Sequence, residues 1–193
     1  LFRKIFGLKP DGTEDNIKNE ERGKYMPEIK LPIDEKFTIN FKANGGKFLY
    51  CENMQEIYNT FNDILKENEW DDKNAYLIDD RLGKLFKDSN LKFTKKSSDS
   101  QYFLSTCEYL IADDGSLFIS SNQIAEKKLK ELPENFIIYA TTSQFVENIG
   151  EGLRGIKNKN KDRIPTNITT IKHFKTLEDK DFLTYGSSSK NLY

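Results

Sequence analysis

The sequence predicts an α/β protein: a three-layer α/β/α sandwich with a mainly parallel sheet and one added antiparallel hairpin. Helical patterns alternate with short apolar runs, and the connections between them are short. The runs at residues 75–78 and 136–140 are apolar without alternation, which is typical of parallel strands covered on both faces. Two further apolar runs, at residues 109–112 and 117–119, are separated by a turn sequence and predict the hairpin.

The composition limits the size and the partners of this fold. A chain of 193 residues fits one domain of ordinary size, and its 14 Phe and 9 Tyr predict an aromatic-rich core. The net charge is −1, from 30 basic and 31 acidic residues. This balance gives no electrostatic footprint for nucleic acid, so we expect no nucleic-acid partner.

Cysteine and histidine usage excludes two classes of site. Cys51 and Cys107 are isolated, and His173 is the single histidine. These residues supply neither the usual zinc ligands nor a histidine-based triad, so we predict no metal site. No cofactor is predicted either. No apolar run approaches the roughly 18 residues of a membrane span, and the pattern of a signal peptide is missing. We therefore expect a soluble, cytoplasmic, reduced protein without a membrane partner.

The first 33 residues differ in character from the rest. Residues 1–8 are amphipathic, and residues 11–32 are charged with little periodicity, so we predict an extended arm over residues 1–33 and an α/β domain over residues 34–193. The amphipathic segment could dock on a partner or a membrane surface. The favoured interpretation is packing on its own domain or on a neighbouring copy, which would make the arm the contact of a homo-oligomer. The opening on Leu1 leads us to expect a trimmed start.

The domain begins with a predicted helix. Asp34 can cap a helix that buries Phe37 and Phe41, with Asn44, Gly45 and Gly46 ending it. Residues 47–51 then predict a first strand. The two glycines could instead form an oxyanion or phosphate loop, but a helix end explains them without further assumption.

A second helix and a second acidic pair follow. Residues 53–70 carry apolar residues at helical spacing, and the strand at residues 75–78 ends at Asp79 and Asp80. Open α/β sheets bind ligands at the carboxyl ends of their strands. The alternative interpretation is that Asp80 simply caps a short helix over residues 81–88.

The later elements are read from shorter signals. Residues 91–94 predict a strand, and residues 168–171 predict a strand or a turn. Residues 157–163 form a basic run that we interpret as a solvated loop at a helix end. Thr142 or Ser143 is predicted to cap a helix that buries four apolar residues: Phe145, Val146, Ile149 and Leu153. His173 is interpreted as structural.

The hairpin carries the main candidate site. Asp113, Asp114 and Gly115 lie between its strands, and Asp-Gly is a strong signal for a two-residue turn. Two neighbouring carboxylates at the tip of an apolar hairpin are partly desolvated, which moves pKa values toward acid or base roles. We therefore predict Asp113 and Asp114 as candidate catalytic residues. The alternative is that the sequence is good turn chemistry and nothing more.

A second candidate site follows a predicted strand at residues 182–185. A Gly-Ser loop that opens a helix offers free backbone N–H groups and a cation, which favours an anion. Its residues are Gly186, Ser187, Ser188, Ser189 and Lys190. A serine-rich helix cap without an anion is an equally common meaning of this pattern. Because the chain stops at Tyr193 within this predicted helix, we expect a further segment after it.

These motifs resemble one known family. Ala112-Asp113-Asp114-Gly115-Ser116-Leu117 resembles the Ala-Glu-Thr-Gly-Thr-Leu signature of the LUD-domain family, the lactate-utilisation protein C (LutC/YkgG) group. Leu132-Pro133 with the strand at residues 136–140 is similar to that family's Leu-Pro and following strand. The loop from Gly186 to Lys190 resembles its late Gly-Pro-Ser-Arg-Thr motif, and the resemblance covers residues 34–193.

The resemblance implies a fold of the NagB/RpiA/CoA-transferase type. It also implies a place in the oxidation of L-lactate to pyruvate beside iron–sulfur partner proteins, as an accessory subunit without redox chemistry of its own. In the wider superfamily a carboxylate beside a glycine acts as nucleophile or base, which is the role implied for Asp113 or Asp114.

Three hypotheses for function follow. The first is an accessory component that binds a small anionic metabolite or cofactor between Gly115–Ser116 of the hairpin and the Gly186 loop, with both loops in one pocket. The second is a CoA or acyl transferase, or a sugar-phosphate isomerase, that uses Asp113 or Asp114. The third is a binding module whose N-terminal arm recruits a partner.

Overall fold

The computed structural model describes residues 30–89, 91–174 and 191–193. The predicted amphipathic segment at residues 1–8 and the predicted strand at residues 182–185 lie outside the described residues. Pro32–Tyr193 form one compact unit. Among the helices of the described part, none has the length and apolar character needed to cross a bilayer.

The described part contains nine β-strands and five α-helices. The strands are β1 (Asn74–Leu77), β2 (Lys92–Thr94), β3 (Tyr102–Ser105), β4 (Tyr109–Ile111), β5 (Ser116–Ile119), β6 (Asn135–Ile138), β7 (Phe145–Val146), β8 (Thr169–Ile171) and β9 (Asn191–Leu192). The α-helices are α1 (Ile33–Ala43), α2 (Met54–Glu67), α3 (Asp80–Leu85), α4 (Ser121–Ile124) and α5 (Ile149–Lys159).

Five strands form a parallel sheet, here called sheet A. Its order is β2-β1-β3-β6-β9, and every neighbouring pair is parallel. After β1 the chain adds β2 on one side, and then crosses back to add β3 and β6 on the other side. The strand order therefore reverses between β1 and β3, which is where open α/β sheets form a ligand crevice.

One face of sheet A is an aromatic row. Tyr76, Phe103, Phe136 and Leu192 are paired across four neighbouring strands, and each is buried. The ring centroids of Tyr76 and Phe103 are 5.4 Å apart, and those of Phe103 and Phe136 are 5.1 Å apart. Side chains alternate along a strand, so Leu77 and its neighbours face the opposite side. That side packs on residues from α2 and from α3 with its C-cap: Phe61, Ile64, Leu65, Leu82 and Phe86.

The hairpin belongs to a second sheet, sheet B, with the order β7-β4-β5-β8. Its strands β4 and β5 are antiparallel, as predicted. Leu110 and Leu117 of the hairpin join the core that contains the aromatic row and Phe37 and Phe41 of α1. The other face of sheet B packs against Ile156 of α5. The hairpin is thus an inner layer of the molecule.

The predicted fold class is confirmed: the molecule is a mixed α/β protein with a mainly parallel sheet, consistent with a three-layer sandwich. The aromatic core is present as expected. The central strand β3 was not predicted. Its apolar run, Tyr102 to Leu104, is three residues long and flanked by polar residues, so it gives a weak signal despite almost complete burial.

The predicted strand at residues 47–51 is wrong. The backbone N–H of Lys47 donates to the carbonyl of Leu192 on β9, but the following residues form no ladder. Leu49 and Tyr50 are 47% and 44% exposed. The segment lies over the ring of Phe41 at Gly46, where an added Cβ would stand 2.4 Å from the ring.

The predicted helix start at Thr142 or Ser143 is also wrong. Phe145 and Val146 form β7, because their backbone pairs with Leu110 and Ile111 of the hairpin. Helix α5 starts later, with Asn148 as its cap, and Ile149 and Leu153 remain exposed rather than buried. The helix approaches sheet B through Gly152 and Ile156 instead.

Two predicted caps shift by one or two residues. Pro32 precedes α1, and Asp34 lies within its first turn. Asp79 rather than Asp80 caps α3, with its side chain accepting from the backbone N–H of Arg81.

Candidate functional site

A crevice of about 650 Å³ lies outside the carboxyl ends of β1 and β3. This is the position where the strand order of sheet A reverses. Twelve residues from the loops after three strands, and from the starts of α3 and α4, line it: Ile78, Asp79, Asp80, Arg81, Lys84, Thr106, Cys107, Glu108, Asn122, Gln123, Tyr139 and Gln144. We call it the crevice and treat it as the candidate site.

The acidic pair that the sequence placed after β1 lines the crevice. Asp79 binds the Arg81 guanidinium in bidentate geometry, with 2.9 Å from Nε to Oδ1 and 2.7 Å from Nη2 to Oδ2. These hydrogen bonds lower the pKa of Asp79. Asp80 pairs with the ammonium of Lys95. Both carboxylates are therefore already neutralised by neighbouring cations.

Glu108 is a buried acid at the crevice, with 8% of its surface exposed. Its Oε1 accepts hydrogen bonds from the Ser120 hydroxyl (2.6 Å) and from Nδ2 of Asn122 (2.8 Å). Ser120 is the cap of α4, so the turn from β5 into that helix holds the carboxylate in place. A buried carboxylate needs such donors because the protein interior does not replace its hydration otherwise.

Cys107, next to Glu108, is buried and unsuited to nucleophilic chemistry. Burial, together with a smaller effect of the neighbouring Glu108 carboxylate, raises the pKa of its thiol to about 12. The thiolate is the nucleophilic form, so a thiol with this pKa stays inert near neutral pH. Gln144 fixes the adjacent backbone by donating to the carbonyl of Cys107.

Two charged side chains of the crevice have no ion-pair partner among the described residues, and their charges are of opposite sign. Asp79 is paired with Arg81 and Asp80 with Lys95. Lys84 and Glu108 line the same cavity, and neither forms an ion pair within the described residues. The crevice thus offers one ammonium and one buried carboxylate to a ligand.

The hairpin tip has a different structure from the two-residue turn that was predicted. Ile111 pairs with Ser116, so the loop has four residues, from Ala112 to Gly115. The longer loop forms because the N–H groups of Ala112 and Asp113 donate to the carbonyls of Val146 and Glu147. Gly115 then reverses the chain with a φ of 66°.

Both predicted acids at the tip have protein partners. Lys36 of α1 bridges Asp113 and Glu147, and these hydrogen bonds raise the pKa of Lys36. Asp114 accepts from the N–H and hydroxyl of Ser116, at 3.1 and 2.6 Å, and its other oxygen is 3.7 Å from Lys172. The side chain of Asp113 is 48% exposed, whereas Ser116 is fully buried.

Two asparagines fasten the same tip to α1. Asn40 donates to the carbonyl of Ala112 at 2.8 Å, and Asn44 donates to the carbonyl of Asp114 at 2.6 Å. Asp113, Asp114, Gly115 and Ser116 do not line the crevice. The tip is a docked turn in which most polar groups are engaged with α1.

The second half of the predicted site, Gly186, Ser187, Ser188, Ser189 and Lys190, lies outside the described residues. The expectation that this loop and the hairpin tip share one pocket stays a prediction. The helix predicted to follow the loop is wrong, because Asn191 and Leu192 form strand β9 beside β6. A strand is favoured at this position because it places Leu192 beside Phe136 in the buried core.

Sequence reasoning found part of the crevice and missed the rest. The position of Asp79 and Asp80 after a buried strand signalled it. Glu108 lies three residues beyond β3, a strand that the sequence did not predict, so no strand end marked its position. A search for buried Tyr-Phe-Leu runs before an acid would have found this residue.

Comparisons with known proteins support the fold described above. The model of the LUD domain family matches residues 35–191. The chain is similar to the crystal structure of a DUF162 family protein from Deinococcus radiodurans, with a TM-score of 0.56 and 13% identity. That match covers 74% of this chain and 89% of the other. At this identity the likeness concerns the fold alone. No curated protein sequence matches the chain.

Proposed function

Starting from the fact that this chain belongs to the LUD domain family, which is associated with lactate utilisation proteins, we propose that it is an accessory, non-redox component of an organic-acid utilisation system. In this proposal it binds a small anionic metabolite of the L-lactate and pyruvate class. Its two cysteines are fewer than the four thiolates that an iron–sulfur cluster usually needs. Electron transfer would therefore come from iron–sulfur partner proteins.

One observation carries the proposal: the crevice presents Lys84 and Glu108, without ion-pair partners among the described residues, at the switch point of the parallel sheet. An ammonium attracts a carboxylate, whereas a carboxylate accepts a hydrogen bond from a hydroxyl group. A 2-hydroxy acid carries both groups on adjacent carbons. L-Lactate is the simplest chiral member of this class.

The same geometry gives a reason for discrimination between lactate and pyruvate. Lactate offers a hydroxyl donor to Glu108, whereas pyruvate offers a carbonyl oxygen, which a carboxylate repels. A buried hydrogen-bonding group that lacks a partner costs binding free energy. A single mismatched group therefore produces a large difference in affinity between two ligands. We therefore propose that the crevice prefers the hydroxy acid over the keto acid.

Calorimetric titration of wild type and Glu108→Gln with L-lactate and pyruvate tests this proposal. Glutamine keeps one oxygen for Ser120 and Asn122 but turns an amide donor to the ligand. A hydrogen bond to a charged group contributes about 1.5–3 kcal/mol, so we expect the lactate-to-pyruvate affinity ratio to fall by about tenfold or more. An unchanged ratio in a folded variant would contradict the assignment of Glu108.

Lys84→Met supplies the complementary test, because it removes the cation and keeps most of the side-chain volume. We expect both ligands to bind more weakly by a similar factor, since both carry the carboxylate. Asp113→Asn is the matched control at the hairpin tip. If the ligand instead binds at the tip, this variant changes the affinity and Glu108→Gln does not.

A further inference from the structure

We infer that the molecule has a second binding site, an apolar cavity that takes an aliphatic monocarboxylate. The cavity has a volume of about 390 Å³. This volume falls in the range of small-molecule pockets, roughly 300–1,000 Å³. It lies between α1, α2, sheet A and the segment at residues 47–52. Tyr139 is the one residue that lines both this cavity and the crevice.

The interior of the cavity is apolar. Buried residues from six elements form it: Phe37, Phe41, Phe61, Ile64, Leu110, Leu117, Ile137 and Leu192. Side chains of Phe and Leu offer no hydrogen bonds, so a polar ligand would lose its hydration there without compensation. An aliphatic chain gains roughly 0.8 kcal/mol for each buried CH₂ group. The interior therefore selects an alkyl chain.

The mouth of the cavity is polar and accessible. The segment at residues 47–52 forms one rim, and Thr141 and Thr142 contribute to the lining after β6. Leu49 is largely exposed at this rim, and Thr142 is exposed as well. A ligand can therefore enter without opening the buried core.

Lys47 supplies the cation that an acid headgroup needs. Its Nζ donates to the Tyr193 hydroxyl at 2.6 Å and lies 4.1 Å from the ring centroid. Tyr193 in turn donates to Oδ1 of Asn68 at 2.9 Å, which fixes the ring and hence the ammonium. An ammonium has three donors, and within the described residues Lys47 has no carboxylate partner. The remaining donors can bind a ligand carboxylate.

Cys51 provides a reporter in the same cavity. Its thiol donates to the Thr60 hydroxyl at 3.4 Å, and the residue is half-buried. Both residues line the cavity. A bound alkyl chain would shield this thiol from reagents in solution, whereas Cys107 is already buried and contributes no signal.

Decanoate is a suitable probe below its critical micelle concentration, with decanol as the uncharged counterpart. We expect decanoate to slow the reaction of Cys51 with a disulfide reagent in a saturable manner. Lys47→Met should lower the affinity for decanoate by about tenfold, because a charge-assisted hydrogen bond is lost. The affinity for decanol should be unchanged. Equal effects on both probes would overturn the role of Lys47.

Two variants fill the cavity. Ala140→Phe places a ring in its wall, and Thr142→Phe places one at its exposed mouth, so that one variant remains informative if the other fails to fold. Both should abolish protection of Cys51 by decanoate. Ala43→Phe, on the exposed end of α1 and away from the cavity, is the matched control and should retain protection. Protection that survives in both filled variants, or no protection in wild type, would overturn the inference.

Discussion

The two cysteines show how strongly local environment separates chemically identical side chains. Cys107 is 4% exposed and lies in the main core, whereas Cys51 is half-buried beside a cavity. Burial, and to a lesser extent the neighbouring Glu108 carboxylate, raises the pKa of the Cys107 thiol to about 12. Two residues of one type are thus expected to differ in reactivity by their surroundings alone.

Thiol titration of the native protein at pH 8 measures this difference. We expect one thiol to react, that of Cys51, and two to react in denaturant. Cys51→Ser should remove the native reaction and leave one thiol that reacts after unfolding. Rapid modification of two thiols in the folded wild type would show that Cys107 is accessible and that the wall of the crevice is open.

At this scale the sequence indicated residue types better than residue partners. The acidic pairs at residues 79–80 and 113–114 were recognisable from the apolar runs beside them. Lys36, the partner of Asp113, is 77 positions away in the chain, and no local pattern connects the two. Ion pairs between distant elements depend on the packing of α1 against the hairpin, which spacing does not reveal.

Among the elements, the hairpin and α1 depend on each other at Gly115. Its φ of 66° lies in the left-handed region, and an added Cβ would stand 2.3 Å from the backbone of Asn40 and Phe41. Backbone atoms of a helix cannot move aside as the end of a side chain can. A residue larger than glycine must therefore separate the tip from α1.

Gly115→Ala is expected to lower the free energy of unfolding by about 2–3 kcal/mol, the strain of a forced backbone conformation together with lost packing. Gly150→Ala is the control for the loss of a glycine, because its added Cβ would meet only side-chain atoms, the nearest being Oδ1 of Asn148 at 3.2 Å. Urea unfolding compares the two variants. A loss in Gly115→Ala no larger than in the control would contradict the close approach.

Elements were predictable where a single residue pattern decided them. Helix α2 follows its apolar spacing and begins after Asn53, as the sequence indicated. Residues 145–146 form a strand because the edge of the hairpin offers them backbone hydrogen-bond partners. Residues 47–51 are irregular because only the N–H of Lys47 forms a backbone hydrogen bond to β9 among the described residues. Such outcomes depend on which strand edge of a sheet lies nearby in the folded protein, and the local sequence does not indicate this.

For the whole molecule, strand order is the feature that creates the crevice. The order β2-β1-β3-β6-β9 brings the loops after β1 and β3 together, so Lys84 and Glu108 share one cavity although 24 positions separate them. The fold class was predictable from the alternation of helices and strands. The strand order was not predictable, because β3 gives a weak signal and β9 lies where the sequence predicted a helix.

A backbone amide spectrum recorded during titration with L-lactate tests whether the crevice is the ligand site. We predict saturable shifts at Asp80, Glu108 and Asn122, which line the crevice, and their loss in Glu108→Gln. The amides of Asp113 to Ser116 should stay in place, since the hairpin tip lies outside the crevice. Shifts that are confined to the hairpin tip, or that persist unchanged in Glu108→Gln, would contradict the account.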